Sequence, residues 1–253
     1  MSHQVRMLPL GDSAIRMEVG KTISKETNSL IRAYLYLLKE TKMVGINEWV
    51  PSYTAITFFY DPFLISYEKA AEWLYELSAH LQKVKLPPPV IYDIPTYYGG
   101  ESGPDLKRVA EINNLSPEEV VSIHSSESYL IYMIGFTPGF PYLGGMSEKI
   151  AAPRLSKPRG KVAEGSVGIA GEQTGIYSLE SPGGWNIIGR TPIKLFDQHR
   201  EHPFLVESGN YIRFVPVENE EYEKIKIEVD RRVYQLTTRV MEGTHELSSG
   251  FKQ

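Results

Sequence analysis

A short basic run near the middle of the chain has the residue types that could do chemistry most directly. It carries four cations and no acid: Arg154, Lys157, Arg159 and Lys161. Arginine binds a phosphate or carboxylate through two parallel hydrogen bonds, and lysine adds a point charge. Prolines within the run would hold it stiff, so it would lose less entropy on binding an anion. The run favours an anion site, although an exposed loop made basic for solubility explains it equally well.

A glycine-flanked polar turn is the second candidate. Gln173 and Thr174 offer donors and acceptors there, and Tyr177 follows as a ring for stacking. The next glycine turn consists of Gly183, Gly184 and Trp185. Together these residue types suit a small polar ligand in a cleft. In the alternative interpretation the glycines only form hairpins and the tryptophan lies in the core.

A single histidine is the third candidate. His124 stands between a predicted helix and a predicted strand. Because its ordinary pKa is close to neutrality, the imidazole could act as an acid, a base or a phosphate contact. A histidine near a helix end can also be a hydrogen-bonding cap. His199 and His202 stand beside Pro203 and charged residues, and we interpret them as a solvated loop rather than as metal ligands.

Several classes of chemistry are excluded by absent residues and motifs. The chain has no cysteine, which excludes disulfides, thiolate catalysis and cysteine-ligated metals. It has no P-loop, no nucleophile elbow and no HExxH motif, and we predict no metal site. The net charge of −4 argues against a general nucleic-acid binder. The N-terminus lacks the apolar core of a signal peptide, and the apolar run 129–136 is too short to span a bilayer, so we expect a cytoplasmic protein.

The elements that position these residues fall into two predicted domains. Three consecutive prolines at 87–89 cannot continue a helix and indicate a stiff connector. Twelve of the 21 glycines lie between Gly135 and Gly189, among aromatic residues that need burial, which predicts a rigid β domain with sharp turns. The predicted parts are an N-terminal α+β domain, a β-barrel domain and a charged C-terminal extension, over 1–86, 87–217 and 218–253. We expect the last ten residues to be loosely held.

The first domain alternates strand-like and helix-like patterns. Its predicted elements are strands over 5–10, 14–19, 44–50 and 54–60 and helices over 24–39 and 66–83. Ser24 is a suitable N-cap for the first helix, and the turn at Gly11 joins the first two strands as a hairpin. This order predicts helices on one face of an antiparallel sheet.

The second domain consists mainly of short apolar strands between glycine and proline turns, which is typical of a barrel or sandwich. Its predicted strands cover 90–96, 129–134, 167–170, 185–188, 193–196, 211–215 and 233–240. We expect Asp105 to cap a short helix that runs to Ile112. The sequence Ser116-Pro117-Glu118-Glu119 is a helix start signal, and this second helix should end near His124.

Three long motifs, among them GFTPGFPYLGG and GSVGIAGEQTGIY, carry a resemblance to a known family. They cover 124–145, 152–159 and 165–192, and shorter matches lie at 10–14 and 98–106. These residues resemble the family of the 5-oxoprolinase B component, one of the subunits of that enzyme. The family also includes the sporulation-kinase inhibitor KipI and domains like subunit 1 of allophanate hydrolase. The resemblance extends from Gly11 to Val217.

The resemblance implies a fold and an activity. The expected fold is α+β, with an N-terminal ferredoxin-like α/β sandwich followed by a cyclophilin-like β-barrel. The expected activity is the ATP-dependent opening of 5-oxo-L-proline to L-glutamate, in a complex with the A and C components of 5-oxoprolinase. ATP is then a co-substrate whose site is shared with the C component, and magnesium is its accompanying ion. Phosphate transfer to the amide oxygen would make the ring carbon a better target for water.

The motif matches identify the positions of the candidate residues, and on the expected activity we infer a role for each. His124 and Arg154 would be catalytic and would steady phosphate charge. The residues expected to bind the substrate or ATP are Lys157, Arg159, Gln173, Thr174, Tyr177, Gly183, Gly184 and Trp185. The KipI members imply an alternative, in which the chain binds a sporulation histidine kinase and blocks its autophosphorylation. A third hypothesis is a scaffold that only completes the site of the C component.

Overall fold

A computed structural model describes residues 5–241 of the 253-residue chain. These residues form two compact units, 5–88 and 89–241. The protein is mixed α/β, and the larger unit contains a nearly closed β-barrel. None of the helices within 5–241 has the length and apolar character needed to cross a membrane.

The first unit is one antiparallel sheet with two helices. Its strands are β1 (Arg6–Pro9), β2 (Ala14–Glu18), β3 (Ile46–Pro51) and β4 (Ala55–Tyr60), in the order β1-β2-β4-β3. Its helices are α1 (Lys25–Glu40) and α2 (Tyr67–Ser78). The side chain of Ser24 accepts a hydrogen bond from the backbone N–H of Thr27, which confirms the predicted N-cap. Alternate residues of β2 and β4 are fully buried, so one face of the sheet lies in the core.

Two predictions for this unit were wrong. A ferredoxin-like sandwich has the order β-α-β-β-α-β, whereas this unit runs β-β-α-β-β-α and all its strand pairs are antiparallel. The cause is the tight turn at Gly11, whose φ of +64° lets β2 fold back directly onto β1 without a crossover helix. The second helix ends at Ser78, and a separate 3-10 turn, Leu81–Lys83, follows it.

The second unit is built around an eight-stranded sheet. The strands of this unit are β5 (Val90–Tyr98), β6 (Ser128–Ile134), β7 (Pro141–Gly144), β8 (Arg159–Val162), β9 (Ser166–Ala170), β10 (Gln173–Ile176), β11 (Ser181–Gly183), β12 (Asn186–Arg190), β13 (Tyr211–Pro216) and β14 (Thr238–Val240). The eight-stranded sheet has the order β10-β9-β12-β5-β13-β6-β7, with β14 paired to β5, and its end strands β7 and β10 contact each other. Strands β8 and β11 pair separately as a small second sheet.

Three α-helices, α3 (Leu106–Ile112), α4 (Pro117–Ser126) and α5 (Asn219–Asp230), and a 3-10 turn, Glu148–Ile150, complete the described part of the second unit. The start of α4 is the predicted one, because Ser116 and Glu119 form a reciprocal capping box, with Pro117 between them as the first residue of the helix. The helix continues two residues beyond the predicted end at His124. Apolar side chains of α3 and α4, such as Val109 and Val120, are fully buried in the same core as the barrel strands.

The predicted strand over 193–196 does not form. Ile193 and Leu195 are buried, but the only sheet-like pairing in this segment is an isolated bridge between Phe196 and Phe204. Their alternation therefore reflects burial in a loop that packs on the core. The residues after 217 form α5 and β14 within the second unit as far as Met241. The last ten residues lie outside the described part of the chain.

Candidate functional site

An aromatic cluster lies on the second unit, where the loop before β7 meets the turns after β10 and β11. It consists of Phe140, Tyr142, Tyr177 and Trp185, with Phe140 and Trp185 ring centroids 5.9 Å apart and Tyr177 and Trp185 centroids 6.4 Å apart. Tyr177 and Trp185 are buried. For Trp185 this agrees with the alternative interpretation of the sequence, in which the tryptophan lies in the core. Burial raises the pKa of the Tyr177 hydroxyl, and a hydrogen bond from the backbone of Trp185 opposes this effect.

Gly183 and Gly184 differ in the space that is available for a side chain at each position. A Cβ atom on Gly183 would overlap the hydroxyl of Tyr177, so only glycine fits at this position without a shift. A Cβ atom on Gly184 would lie 3.6 Å from the ring of Pro158, which is an ordinary contact. The carbonyl of Gly184 accepts a hydrogen bond from the backbone N–H of Leu155 at 2.8 Å. Gly183 thus allows close packing, and Gly184 anchors a neighbouring segment.

That neighbouring segment, residues 152–161, is called here the basic segment. Its backbone is held on both sides of Arg154. The amide of Asn186 donates to the carbonyl of Pro153 at 3.0 Å, and the N–H of Leu155 is bonded to Gly184. The guanidinium of Arg154 is exposed and lies 6.0 Å from the ring centroid of Trp185. Arg154 is therefore a solvent-facing cation on an anchored backbone.

The four cations of the basic segment have different surroundings. Arg159 forms an ion pair with Asp105, 2.8 Å between Nη2 and Oδ1, and Lys161 forms one with Glu180, also at 2.8 Å. Among the ion pairs of residues 5–241, none includes Arg154 or Lys157, and both of these side chains are exposed. Arg154 and Lys157 are accordingly the two cations with free charge for an anion.

Asp105 has a different role from the one that the sequence predicted. It stands at the N-cap position of α3 but makes no capping hydrogen bond with its side chain. One carboxylate oxygen binds Arg159, and the other accepts the backbone N–H of Ile187 at 2.7 Å. Asp105 thus ties the end of the basic segment and strand β12 to the start of α3.

Asn186 is a second positioning residue that the sequence analysis missed. Its side chain is fully buried and makes three hydrogen bonds. The amide nitrogen donates to the carbonyls of Pro153 and Ile169, and the amide oxygen accepts from Nε of Arg108 at 3.1 Å. Its place beside Trp185 in the SPGGWN motif was the available signal, but sequence alone does not show which buried groups an asparagine satisfies.

His124 lies inside the barrel, fully buried, rather than on the basic segment. Its Nδ1 atom is 2.8 Å from the hydroxyl of Tyr98, and its Nε2 atom is 2.7 Å from Oγ1 of Thr174. The Thr174 hydroxyl donates to the carbonyl of Gly168 at 3.2 Å, so its oxygen accepts the proton of Nε2. A neutral imidazole has one N–H, and Nδ1 therefore accepts the hydroxyl proton of Tyr98. The Tyr98 hydroxyl, the His124 ring, the Thr174 hydroxyl and the Gly168 carbonyl thus form one chain of hydrogen bonds, in which each group donates to the next.

This environment corrects the predicted contact between His124 and phosphate. Burial lowers the pKa of His124 to about 3, so the ring is neutral at physiological pH. Both nitrogens already have partners, and the rings of Tyr129 and Phe214 pack against the imidazole. His124 cannot reach an anion at the surface without losing one of these bonds. Among the other predicted site residues, it is hydrogen-bonded to Thr174 in β10.

The structure thus separates the predicted site residues into two groups. Seven of them belong to the aromatic cluster, to the glycine turn beside it or to the basic segment: Arg154, Lys157, Arg159, Tyr177, Gly183, Gly184 and Trp185. Gln173 is half-buried at the start of β10, next to Thr174. His124 and Thr174 form the separate internal pair. Within residues 5–241 no three His, Asp or Glu side chains are grouped as metal ligands.

Known proteins resemble this chain over most of its length. Residues 5–206 match the model of the family described as carboxyltransferase domain, subdomain C and D. The B component of the 5-oxoprolinase of Bacillus subtilis is 40% identical over 242 residues, which cover 90% of this chain and 99% of the relative. The B component of the 5-oxoprolinase of Escherichia coli O157:H7 is 37% identical over 217 residues, or 84% of this chain and 96% of the relative. Both relatives are named as subunits of that enzyme.

A solved structure shares the fold. The crystal structure of TTHA0988 matches 85% of this chain with a TM-score of 0.72 and 34% identity, and the matched region is 41% of that longer protein. The aromatic cluster and the basic segment lie in the part of the chain that the family model matches, as do all strands of the barrel except β13 and β14. The protein is therefore a member of the carboxyltransferase-domain family of subdomains C and D, and within it belongs with the B components of 5-oxoprolinase.

Proposed function

We propose that this chain is the B component of an ATP-dependent 5-oxoprolinase complex, which opens 5-oxo-L-proline to L-glutamate together with the A and C components. Nearly full-length similarity to two curated relatives that are B components supports the proposal. The structural observation that carries it is the exposed guanidinium of Arg154, held on an anchored backbone above Trp185 without a carboxylate partner.

The proposed role of Arg154 and Lys157 is to bind phosphate oxygens of ATP or of a phosphorylated substrate. An anion site works best when its cations are in place before the charge develops, because no reorganisation is then needed. The hydrogen bonds on either side of Arg154 supply this arrangement. Arg159 is bound to Asp105 and keeps the segment in place. ATP, when bound, would supply the phosphoryl group that activates the lactam.

Magnesium fits this site only as a companion of the nucleotide. Magnesium prefers oxygen ligands and keeps several waters, and it is often held by one or two carboxylates plus substrate phosphates. Residues 5–241 contain no group of three acidic or histidine side chains that could hold a metal ion. The protein's own contribution is therefore cationic, through Arg154 and Lys157, and any carboxylate that holds the ion would come from the C component.

The remaining candidates have proposed roles at the wall of the site. Trp185 carries Arg154 on its ring, and the ring of Tyr177 packs edge to face against Trp185. Gly183 lets these rings approach closely. His124 is a positioning residue, because it is fully buried and its Nε2 atom is hydrogen-bonded to Thr174 of β10. Gln173, at the start of the same strand, would supply the polar group nearest to the lactam.

The first test is to combine the purified protein with the A and C components and measure ADP and glutamate formed from 5-oxoproline, leaving out each protein in turn. Turnover should vanish when this chain is omitted. Replacing Arg154 with alanine should lower turnover by about a hundredfold or more, as expected for the loss of one preorganised charge contact, and leave assembly intact. Lys161→Ala is the matched control, since its partner Glu180 is also exposed.

Each contrary result has a definite meaning. Full activity of the Arg154→Ala complex, with activity still dependent on this chain, would refute the anion site and favour the scaffold hypothesis. Turnover that does not depend on this chain would refute the proposed function and favour the inhibitor of a sporulation histidine kinase.

A further inference from the structure

Phe136 occupies a strained turn between β6 and β7. Its φ is +65°, and the N–H of Thr137 donates to the carbonyl of Gly135 at 2.8 Å. A hydrogen bond between residues i and i+2 around a central residue of positive φ defines the rarer, strained form of the γ-turn. A bulky side chain at such a φ is an outlier, since glycine would take this conformation freely.

Burial of the Phe136 side chain does little to offset this backbone strain. It is 76% exposed, and its ring packs edge to face with that of Phe140, with centroids 6.1 Å apart. Two other non-glycine residues within 5–241 have positive φ, Asn114 and Arg232, and both are polar. Asparagine adopts this conformation more readily than other side chains do. Phe136 is therefore the one large apolar residue of the described chain that is both strained and exposed.

The turn presents Phe136 in a fixed position. The N–H of Gly135 is bonded to the carbonyl of Phe140, and the N–H of Phe140 to the carbonyl of Thr137, both at 3.1 Å. These bonds close the base of the loop, and Phe140 is itself buried in the aromatic cluster. Strained conformations that are held by their surroundings concentrate at functional sites. The rigid base means that little entropy would be lost when a partner covers the ring.

The shape of the turn indicates a protein partner. Small-molecule sites are concave and enclose most of the ligand, whereas Phe136 stands at the tip of a turn beside the exposed Pro138. A single exposed aromatic side chain on a rigid base matches the anchor residues that fill a pocket at the centre of a protein interface. The two bacterial relatives are named as subunits, and the region of TTHA0988 similar to this chain is 41% of a longer polypeptide.

We propose that Phe136 is an anchor by which this chain docks into an apolar pocket of the C component. The inference rests on the proposed function, since that function supplies the partner. It adds a specific contact: the ring leaves water on assembly, and the γ-turn holds it in the bound position beforehand. The backbone strain persists in the free chain because it serves the complex rather than the fold.

The test uses Phe136→Gly, which removes the ring and relieves the strain together. Binding of the C component is measured by titration calorimetry, and the thermal midpoint of the free variant is measured in parallel. We expect the Kd to rise at least about tenfold, as for the loss of an interface anchor, without a lower thermal midpoint. Phe136→Asn is the second variant, because asparagine also tolerates positive φ. Asn114→Gly, the same backbone change at another exposed turn, should leave the Kd unchanged.

The outcomes separate this inference from the proposed function. If the wild-type chain binds the C component and Phe136→Gly binds equally well, the anchor is refuted and the proposed function stands. An unchanged Kd with a raised KM for 5-oxoproline or ATP would place Phe136 at the ligand and also refute the anchor. If the wild-type chain does not bind the C component, the proposed function and the anchor both fail.

Discussion

The Nε2 atom of His124 lies 2.7 Å from Oγ1 of Thr174, deep in the barrel of the second unit. This contact joins the last turn of α4 to β10, the strand at one end of the main sheet. Because the Thr174 hydroxyl donates its own proton to Gly168, the bond requires a proton on Nε2 and a neutral ring. The position of β10, and of the turns that follow it, thus depends on the protonation of one buried histidine.

The first prediction concerns pH. The pKa of His124 is about 3 in the folded protein, against an ordinary value of 6.5 that we expect in the unfolded chain. Between these values the unfolded chain binds a proton that the folded protein does not. The free energy of unfolding should therefore fall as the pH is lowered from 6.5, by up to about 1.4 kcal/mol per pH unit. Urea unfolding of the wild type and of His124→Gln at several pH values measures this.

The difference between the two proteins isolates the contribution of His124. The difference in unfolding free energy between the wild type and His124→Gln should become smaller as the pH is lowered, because the variant lacks the group that titrates in the unfolded chain. NMR of the imidazole nitrogens gives a second readout, with the proton on Nε2 and no titration between pH 8 and 5. A ring that titrates near 6.5, or carries its proton on Nδ1, would contradict the assigned hydrogen-bond chain.

The second prediction concerns the hydroxyl of Thr174. Thr174→Val keeps the shape of the side chain but leaves the buried N–H of His124 without an acceptor. The free energy of unfolding should decrease by about 1–3 kcal/mol. A double-mutant cycle with His124→Phe should give a coupling of about 1 kcal/mol or more. Additive effects in that cycle would show that the two side chains stabilise the protein independently.

The third prediction concerns the ion pair of Asp105 and Arg159. Asp105→Asn keeps the size of the side chain and removes the charge that holds Arg159 and the N–H of Ile187. Since Arg159 is about one third exposed, we expect a loss of about 1–3 kcal/mol in the free energy of unfolding. Glu180→Gln, which breaks the exposed pair with Lys161, should change it by less than about 1 kcal/mol. Equal effects of the two variants in chemical denaturation would argue against an anchoring role of Asp105.

The fourth prediction compares two adjacent glycines. Gly183→Ala places a methyl group against the hydroxyl of Tyr177 and should lower the free energy of unfolding by about 1–3 kcal/mol. Gly184→Ala places its methyl group 3.6 Å from Pro158 and should stay within about 0.5 kcal/mol of the wild type. Thermal unfolding of the two variants, followed by circular dichroism, measures the difference. Similar midpoints would mean that Tyr177 moves aside without strain.

Local signals in the sequence predicted much of the fold. The N-cap at Ser24 and the capping box at Ser116 depend on a few neighbouring residues, so they could be identified without tertiary information. The local patterns also predicted the order of the strands and helices in the first unit. The ferredoxin-like layout was implied by the resemblance instead, and it does not agree with that order. The predicted 193–196 strand failed because buried alternation in a loop looks the same as in a strand.

The candidate site was predicted only in part, for a similar reason. Residue type identified the cations of the basic segment, but only the structure shows that Arg159 is paired while Arg154 is not. The sequence could not place His124 inside the barrel, because a helix end can face the core or the solvent. Asn186 was missed since its three hydrogen-bond partners are far away in the sequence.

The pairing of β5 has a consequence for synthesis on the ribosome. This first strand of the second unit pairs with β13 along most of its length and with β14 over its first residues. Asp93 of β5 binds Arg213 and Arg239, which are 120 and 146 residues further along the chain. All sheet pairs of the first unit, by contrast, join residues within 6–60. The first unit can therefore fold while the chain is still being translated. Strand β5, by contrast, cannot pair with β13 and β14 until translation is almost finished.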